Sequence, residues 1–136
     1  MHSEAIAIST AGRGTYDITA QIQEVCRAAG ADAGLCNIFI HHTSASLIIC
    51  ENADPDVRRD LETLFSTLCP DGWEPFTHTM EGPDDMAAHG RSILTQTALT
   101  IPIRAGQCDL GTWQSVYLWE HRTAPHRRRI TISILG

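Results

Sequence analysis

The residues best equipped for chemistry lie in one short stretch, His78-Thr79-Met80-Glu81-Gly82-Pro83-Asp84-Asp85-Met86-Ala87-Ala88-His89-Gly90. It gathers two imidazoles and three carboxylates around a Gly-Pro break. Pro83 cannot sit inside a helix, whereas Asp84 and Asp85 suit a helix first turn, where negative charge favours the macrodipole. A helix starting there places Asp85 and His89 four residues apart on one face, with His78 entering from the preceding loop. Imidazoles converging with a carboxylate suit a divalent metal ion or a proton-transfer centre. The same residues also fit a surface loop with an acidic cap and an i,i+4 Asp–His pair.

Other candidates are scattered along the chain. His41 and His42 end an apolar run, and adjacent strand residues face opposite ways. His42 shares the face of Ile38 and Ile40, so it should point inward, either as a hydrogen-bonded core histidine or as the third imidazole beside His78 and His89. Three histidines around an open position are typical of catalytic zinc. Glu51 and Asn52 precede a helix start at Asp54-Pro55, where capping accounts for Asp54 and Asp56 but leaves Glu51 and Asn52 unexplained. Leu110-Gly111-Thr112-Trp113-Gln114 suits a loop whose amides face an anion, although Trp113 serves equally as a core anchor. Glu120 and Arg122 share a strand face with Val116 and Leu118, as a buried ion pair or as a site carboxylate and a substrate-binding arginine. Arg127-Arg128-Arg129 reads as a solvated turn.

The elements that must position these groups follow from periodicity. Alternation predicts strands over Glu4–Thr10, Leu35–His42, Ser46–Asn52, Leu99–Ile103, Val116–Arg122 and Arg129–Leu135. The strands over 35–42 and 46–52 are expected to form a hairpin. Helical spacing predicts a helix capped by Asp17 or Thr19 and running to Ala29, one from Pro55 to about Cys69, and a shorter one from the Asp84-Asp85 turn to about Gln96. Pro102 places its strand at an edge or an end. The sum is one α+β domain with about three helices on a mainly antiparallel sheet.

Composition narrows the chemistry. The chain has 136 residues, enough to bury a core without staples, and a net charge of −6 that opposes general nucleic-acid binding. All ten basic residues are arginine, so Schiff-base chemistry, a P-loop lysine and lysine bases are excluded. An anionic substrate must be held by guanidinium forks, backbone amides or a metal. The five cysteines are odd in number and form no CxxC pair; Cys36 and Cys50 lie in apolar runs and read as small buried hydrophobes with reduced thiols. No apolar run approaches the roughly 20 residues that span a bilayer, and no signal-like segment precedes Glu4, so a cytoplasmic protein without membrane contact is expected.

HTSAS (His42 to Ser46), ENADPDVRRDLE (Glu51 to Glu62), HTMEGPDDMAAH (His78 to His89), LTIPI (Leu99 to Ile103), LGTWQ (Leu110 to Gln114) and EHR (Glu120 to Arg122) together resemble the YjbQ family, also called the secondary thiamine-phosphate synthase family. The likeness runs in order from about Ile38 to Gly136, and departs at Ala87, where proline is common, and at Gly90, where isoleucine is common. It implies an α+β fold whose mixed, mainly antiparallel sheet curls towards a barrel or sandwich, and a homotrimer. It also implies a metal-binding pocket with His42, His78 and His89 as the histidine set. Asn52, Asp85, Thr112, Trp113, Glu120 and Arg122 would surround that set. The implied activity is a weak thiamine-phosphate synthase reaction on a small phosphorylated substrate, joining an aminopyrimidine pyrophosphate to a thiazole phosphate. Arg122 and the amides of Gly111 and Thr112 would then neutralise departing pyrophosphate, zinc or magnesium would bridge oxygens, and Asp85 or Glu120 would hold the metal or move a proton. Zinc-dependent hydrolysis of a phosphorylated metabolite is the first alternative, and a non-catalytic metabolite-binding trimer the second. Whether His41 or His121 joins the pocket stays open.

Overall fold

Period-two alternation of small and β-branched residues builds two sheets, and the apolar face of one amphipathic helix closes the core between them. The computed structural model describes residues 1–136 as β1 (His2–Ser9), β2 (Gly14–Asp17), α1 (Thr19–Ala29), β3 (Ala33–Ile40), β4 (Ala45–Glu51), α2 (Pro55–Leu68), α3 (Asp85–Leu94), β5 (Ala98–Arg104), β6 (Gln107–Cys108), β7 (Gln114–Glu120) and β8 (Arg127–Leu135). Five strands form one sheet in the order β1-β8-β3-β5-β6, and three form a second in the order β2-β7-β4. The sheets curl into a half-barrel, as expected, and the ladders between the strands are antiparallel.

Seventeen buried apolar residues form the core. α1 contributes Ile22, Val25 and Cys26, and β8 contributes Ile130, Ile132 and Ile134 from the inward side of its pleat. Asp17 Oδ1 accepts from the Thr19 amide at the start of α1, and Gly30 ends it in the left-handed conformation at φ 70°. α2 starts as expected, with the Asp54 carboxylate accepting from the Asp56 amide and Pro55 at the first position. None of its residues is buried, and Leu64 and Leu68 of its apolar stripe stay exposed.

The expected hairpin of β3 and β4 does not form. β3 pairs with β5 and β8, whereas β4 pairs with β7 in the other sheet, so the short 41–44 connection crosses between sheets. Strand β2, which periodicity does not predict, pairs with β7. Pro102 lies not at an edge but in β5, opposite Leu35 of β3, and just past β6 its carbonyl accepts from the Asp109 amide at 2.8 Å. No helix is long and apolar enough to cross a membrane.

One rim of the half-barrel matters for the site. The ends of β1, β3 and β7 and the starts of β2, β4 and β8 meet there, because Gly14 and Ala45 both pair with Glu120, and Ser9 pairs with Arg127. α3 packs over this rim against β4.

Candidate functional site

Helical geometry brings the first part of the site together. Asp85 and His89 are one turn apart on α3, and His89 Nε2 lies 3.0 Å from Asp85 Oδ2. His78, from the loop before the helix, places Nε2 at 2.6 Å from the same oxygen and 3.3 Å from Glu81 Oε2. The three donor atoms of His78, Asp85 and His89 all lie within 4.8 Å of one another. Asp85 is buried, His89 half-buried, and the His78 side chain 40% exposed, so the cluster has a solvent side.

Arg122, just beyond the end of β7, sets the carboxylates. Its Nη1 meets Asp85 Oδ1 at 2.9 Å, its Nε donates to Asp84 Oδ2 at 3.0 Å and its Nη2 to the Glu81 carbonyl at 2.8 Å. Burial opposes ionisation of Asp84, but the Thr123 amide and the Arg122 guanidinium outweigh it and hold its pKa at about 2. Burial likewise opposes ionisation of Asp85, yet hydrogen bonding to His78 and the charge of Arg122 keep its pKa below the usual range. The Asp85 hydrogen bond in turn raises the pKa of His78.

The tautomer of His89 follows from its other nitrogen. Nδ1 lies 3.1 Å from the Thr43 carbonyl, which can only accept, so Nδ1 carries the proton. A neutral His89 ring therefore turns its Nε2 lone pair on Asp85 Oδ2, itself an acceptor. That contact calls for a cation, either a second ring proton or a metal ion. A carbonyl that fixes the tautomer of an imidazole is the usual outer support of a metal-ligating histidine, so the residues fit a divalent ion.

Other expected members stand elsewhere. His42 is not among the converging donors: its Nε2 accepts from the Arg129 amide at 2.8 Å, and its Nδ1 faces Arg128 at 3.4 Å. Burial and the neighbouring Arg128 lower its pKa. Glu120 is fully buried and pairs with Arg128 rather than Arg122, accepting from Arg128 Nε at 2.8 Å and Thr10 Oγ1 at 2.7 Å. Burial would raise its pKa, but these bonds lower it, leaving a sealed carboxylate. His121 is also sealed. Its Nδ1 accepts from Arg91 Nε at 3.1 Å and its Nε2 meets Ser46 Oγ at 2.8 Å, while burial and Arg91 lower its pKa to about 2. His41 lies outside, bonded to Thr131 Oγ1 at 2.7 Å.

Asn52, Gly111, Thr112 and Trp113 gather at the opposite rim. The Asn52 side-chain amide donates to Ser115 Oγ at 3.1 Å and to the Thr112 carbonyl at 3.3 Å, and the Gly111 amide donates to Gln114 Oε1 at 2.8 Å. Trp113 is 62% exposed, not a core anchor. The seven residues of β7 separate this loop from Arg122, a length of about 20 Å. Within one chain these residues do not share a pocket with the histidines.

Three residues outside the predicted site set hold the rim together. Arg128 grips Glu120 and donates to Ser44 Oγ at 3.0 Å; buried Arg91 pairs with Glu62, whose second oxygen accepts from Trp119 Nε1 at 2.9 Å; and Asp84 ties Arg122 to Thr123. A signal for Arg128 exists in the sequence, since it shares strand parity with Ile130, Ile132 and Ile134.

Residues 4–136 match the family model described as YjbQ, UPF0047 protein YjbQ-like. The chain is 48% identical over 135 residues to the UPF0047 protein sll1880 of Synechocystis sp., covering 99% of this chain and 92% of that one. It is 35% identical over 136 residues to the UPF0047 protein YjbQ of Escherichia coli O157:H7, covering 99% and 98%. A crystal structure of an uncharacterised YjbQ/UPF0047 family protein from Clostridium acetobutylicum superposes with a TM-score of 0.89 at 30% identity, covering 97% of this chain and 99% of that one. The chain belongs to the YjbQ-like UPF0047 family.

Proposed function

We propose that His78, Asp85 and His89 hold a divalent metal ion and that the chain is an enzyme acting on a small phosphorylated substrate, of the thiamine-phosphate synthase type. The observation that carries this is the His89 tautomer, which faces an imidazole lone pair towards a carboxylate oxygen already shared with His78. A bound divalent ion would supply Lewis-acid stabilisation of phosphate oxygens. Arg122 is a positioning residue, because its Nε, Nη1 and Nη2 are already engaged by Asp84, Asp85 and Glu81. Glu120, enclosed by Arg128 and Thr10, supports the rim instead of moving protons. The exposed side of His78 is where substrate would approach and where a proton can be exchanged.

The set of two histidines and one carboxylate also favours a second reading, zinc-dependent hydrolysis of a phosphorylated metabolite, since catalytic zinc commonly has three protein ligands. A homotrimer would cover Leu35, Phe39 and Leu135, which are exposed on the outer face of the five-stranded sheet. It could also bring the Asn52 and Gly111–Trp113 rim of one copy to the histidine cluster of another. The test replaces His78 and His89 by alanine and measures bound zinc and magnesium, together with turnover of phosphorylated substrates. Loss of metal and turnover in folded variants is expected; unchanged metal content would overturn the proposal.

A further inference from the structure

Away from the histidine cluster, three thiols meet inside the core. Cys26 on α1, Cys36 on β3 and Cys108 on β6 are all buried, and their sulfurs lie within 4.8 Å of one another. Cys26 Sγ and Cys108 Sγ are 3.4 Å apart. Gln23 fixes this approach: its side-chain oxygen accepts from the Cys108 amide at 2.8 Å and its NH2 donates to the Cys108 carbonyl at 3.2 Å, clamping β6 onto α1. Cys50 and Cys69 stand outside the group.

We propose that Cys26, Cys36 and Cys108 form a three-sulfur binding site for a soft trivalent oxyacid of the arsenite class. Sulfur-only donors select a thiophilic ion over magnesium or calcium. Charge then selects among thiophiles. All three cysteines belong to the apolar core, and their nearest sulfur partners are one another. Three thiolates leave a complex of charge −2 on a monovalent ion and −1 on a divalent one, and a bare charge in such a core is strongly disfavoured. On a trivalent centre the complex is neutral. The exchange balances: three As–O bonds break and three As–S bonds form, each hydroxide leaves as water with one thiol proton, and no electron changes hands.

Entry is available at the same place. A surface cavity of about 310 Å³ is lined by Cys26, Gly30 and Gly106, with Arg27 and Asp32 at its walls. β6 beside it is a two-residue edge strand, so Cys108 lies at the margin of the five-stranded sheet.

The test incubates the fully reduced protein with arsenite, removes excess by gel filtration, and measures bound arsenic and its X-ray absorption spectrum. One arsenic per chain with a shell of three sulfurs is expected. Cys26→Ala and Cys108→Ala should each weaken binding at least 100-fold, whereas Cys50→Ala should leave it unchanged. Parallel titrations use cuprous ion in a competing chelator, and zinc. Tighter binding of either would overturn the trivalent assignment. No arsenic retained by folded wild-type protein, oxygen in its shell, or loss in Cys50→Ala equal to that in Cys26→Ala would overturn the site itself. The wild-type spectrum decides even where an alanine variant does not fold.

Discussion

Replacing Arg128 by methionine asks whether Glu120 is part of the scaffold or a group free for chemistry. Glu120 is fully buried, and its oxygens accept from two guanidinium nitrogens of Arg128, Thr10 Oγ1 and the Arg122 amide. Removing the guanidinium leaves a buried carboxylate with two neutral donors. Deleting one partner of a buried pair costs about 3–5 kcal/mol. With an unfolding entropy of about 2.1 cal/mol/K per residue, a chain of this length has a total of about 0.3 kcal/mol/K, so the melting temperature should fall by about 10–17 °C. The pH dependence should change sign as well. In the native protein the pKa of Glu120 is depressed, so its stabilisation is present above the unfolded carboxylate pKa and is lost as pH falls through the folded value. In Arg128→Met, burial is no longer offset by the guanidinium, the folded pKa rises above the unfolded one, and protonation favours the folded form. The deficit should therefore shrink between about pH 7 and about pH 5. Urea denaturation followed by circular dichroism at both pH values measures this. A loss below about 1 kcal/mol with an unchanged pH slope, the behaviour of an exposed pair, would refute the assignment and return Glu120 to the list of possible proton carriers.

Two further outcomes follow from the geometry. Affinity for a divalent ion at the histidine cluster should fall as pH drops through the His78 pKa, which Asp85 raises above its ordinary value, because a protonated imidazole has no lone pair to offer; calorimetric titrations at several pH values would check this, and a flat profile would exclude His78 as a ligand. Gly34→Ala should lose about 1–3 kcal/mol in chemical denaturation, because a Cβ there would lie 2.0 Å from the Leu135 carbonyl oxygen at a φ of +152°.

What the sequence reveals about the site depends on whether one element or several create it. Asp85 and His89 are legible because a single helix enforces their spacing, and Gly82-Pro83 marks where that helix begins. His42 is likewise set apart from exposed His41 by strand parity. Its actual partners, the Arg129 amide and Arg128, depend on β8 lying beside β3, which nothing local encodes. The same limit explains the unformed hairpin: a short connection between two apolar runs fits a hairpin, and the choice of different sheets is made by distant β7 and β8. Arg128 is the opposite case. A row of three arginines suggests a solvated turn, but extending the Ile130-Ile132-Ile134 alternation back by two residues directs the middle one into the core. Thr112 and Trp113 lie near the histidines only in motif order, because β7 carries them to the opposite rim.

The lysine-free composition has a structural counterpart at the histidine rim. Arg122 uses Nε, Nη1 and Nη2 on three different acceptors, Arg91 joins His121 to Glu62, and Arg128 joins Glu120 to Ser44. A planar fork can bridge elements in this way, whereas an ammonium presents one point charge on a flexible stem. These guanidiniums are thereby turned inward, and the one nitrogen of Arg91 left without a partner, Nη1, is buried away from solvent. Around the cluster, Asp84 and Asp85 share a single guanidinium, Arg122, while the Glu81 carboxylate meets His78. The local balance is thus short of positive charge at the place where His89 turns a lone pair on Asp85. Under the proposed function, this is why a cation must be bound before a phosphorylated substrate: without it, the acidic side chains would repel the phosphate.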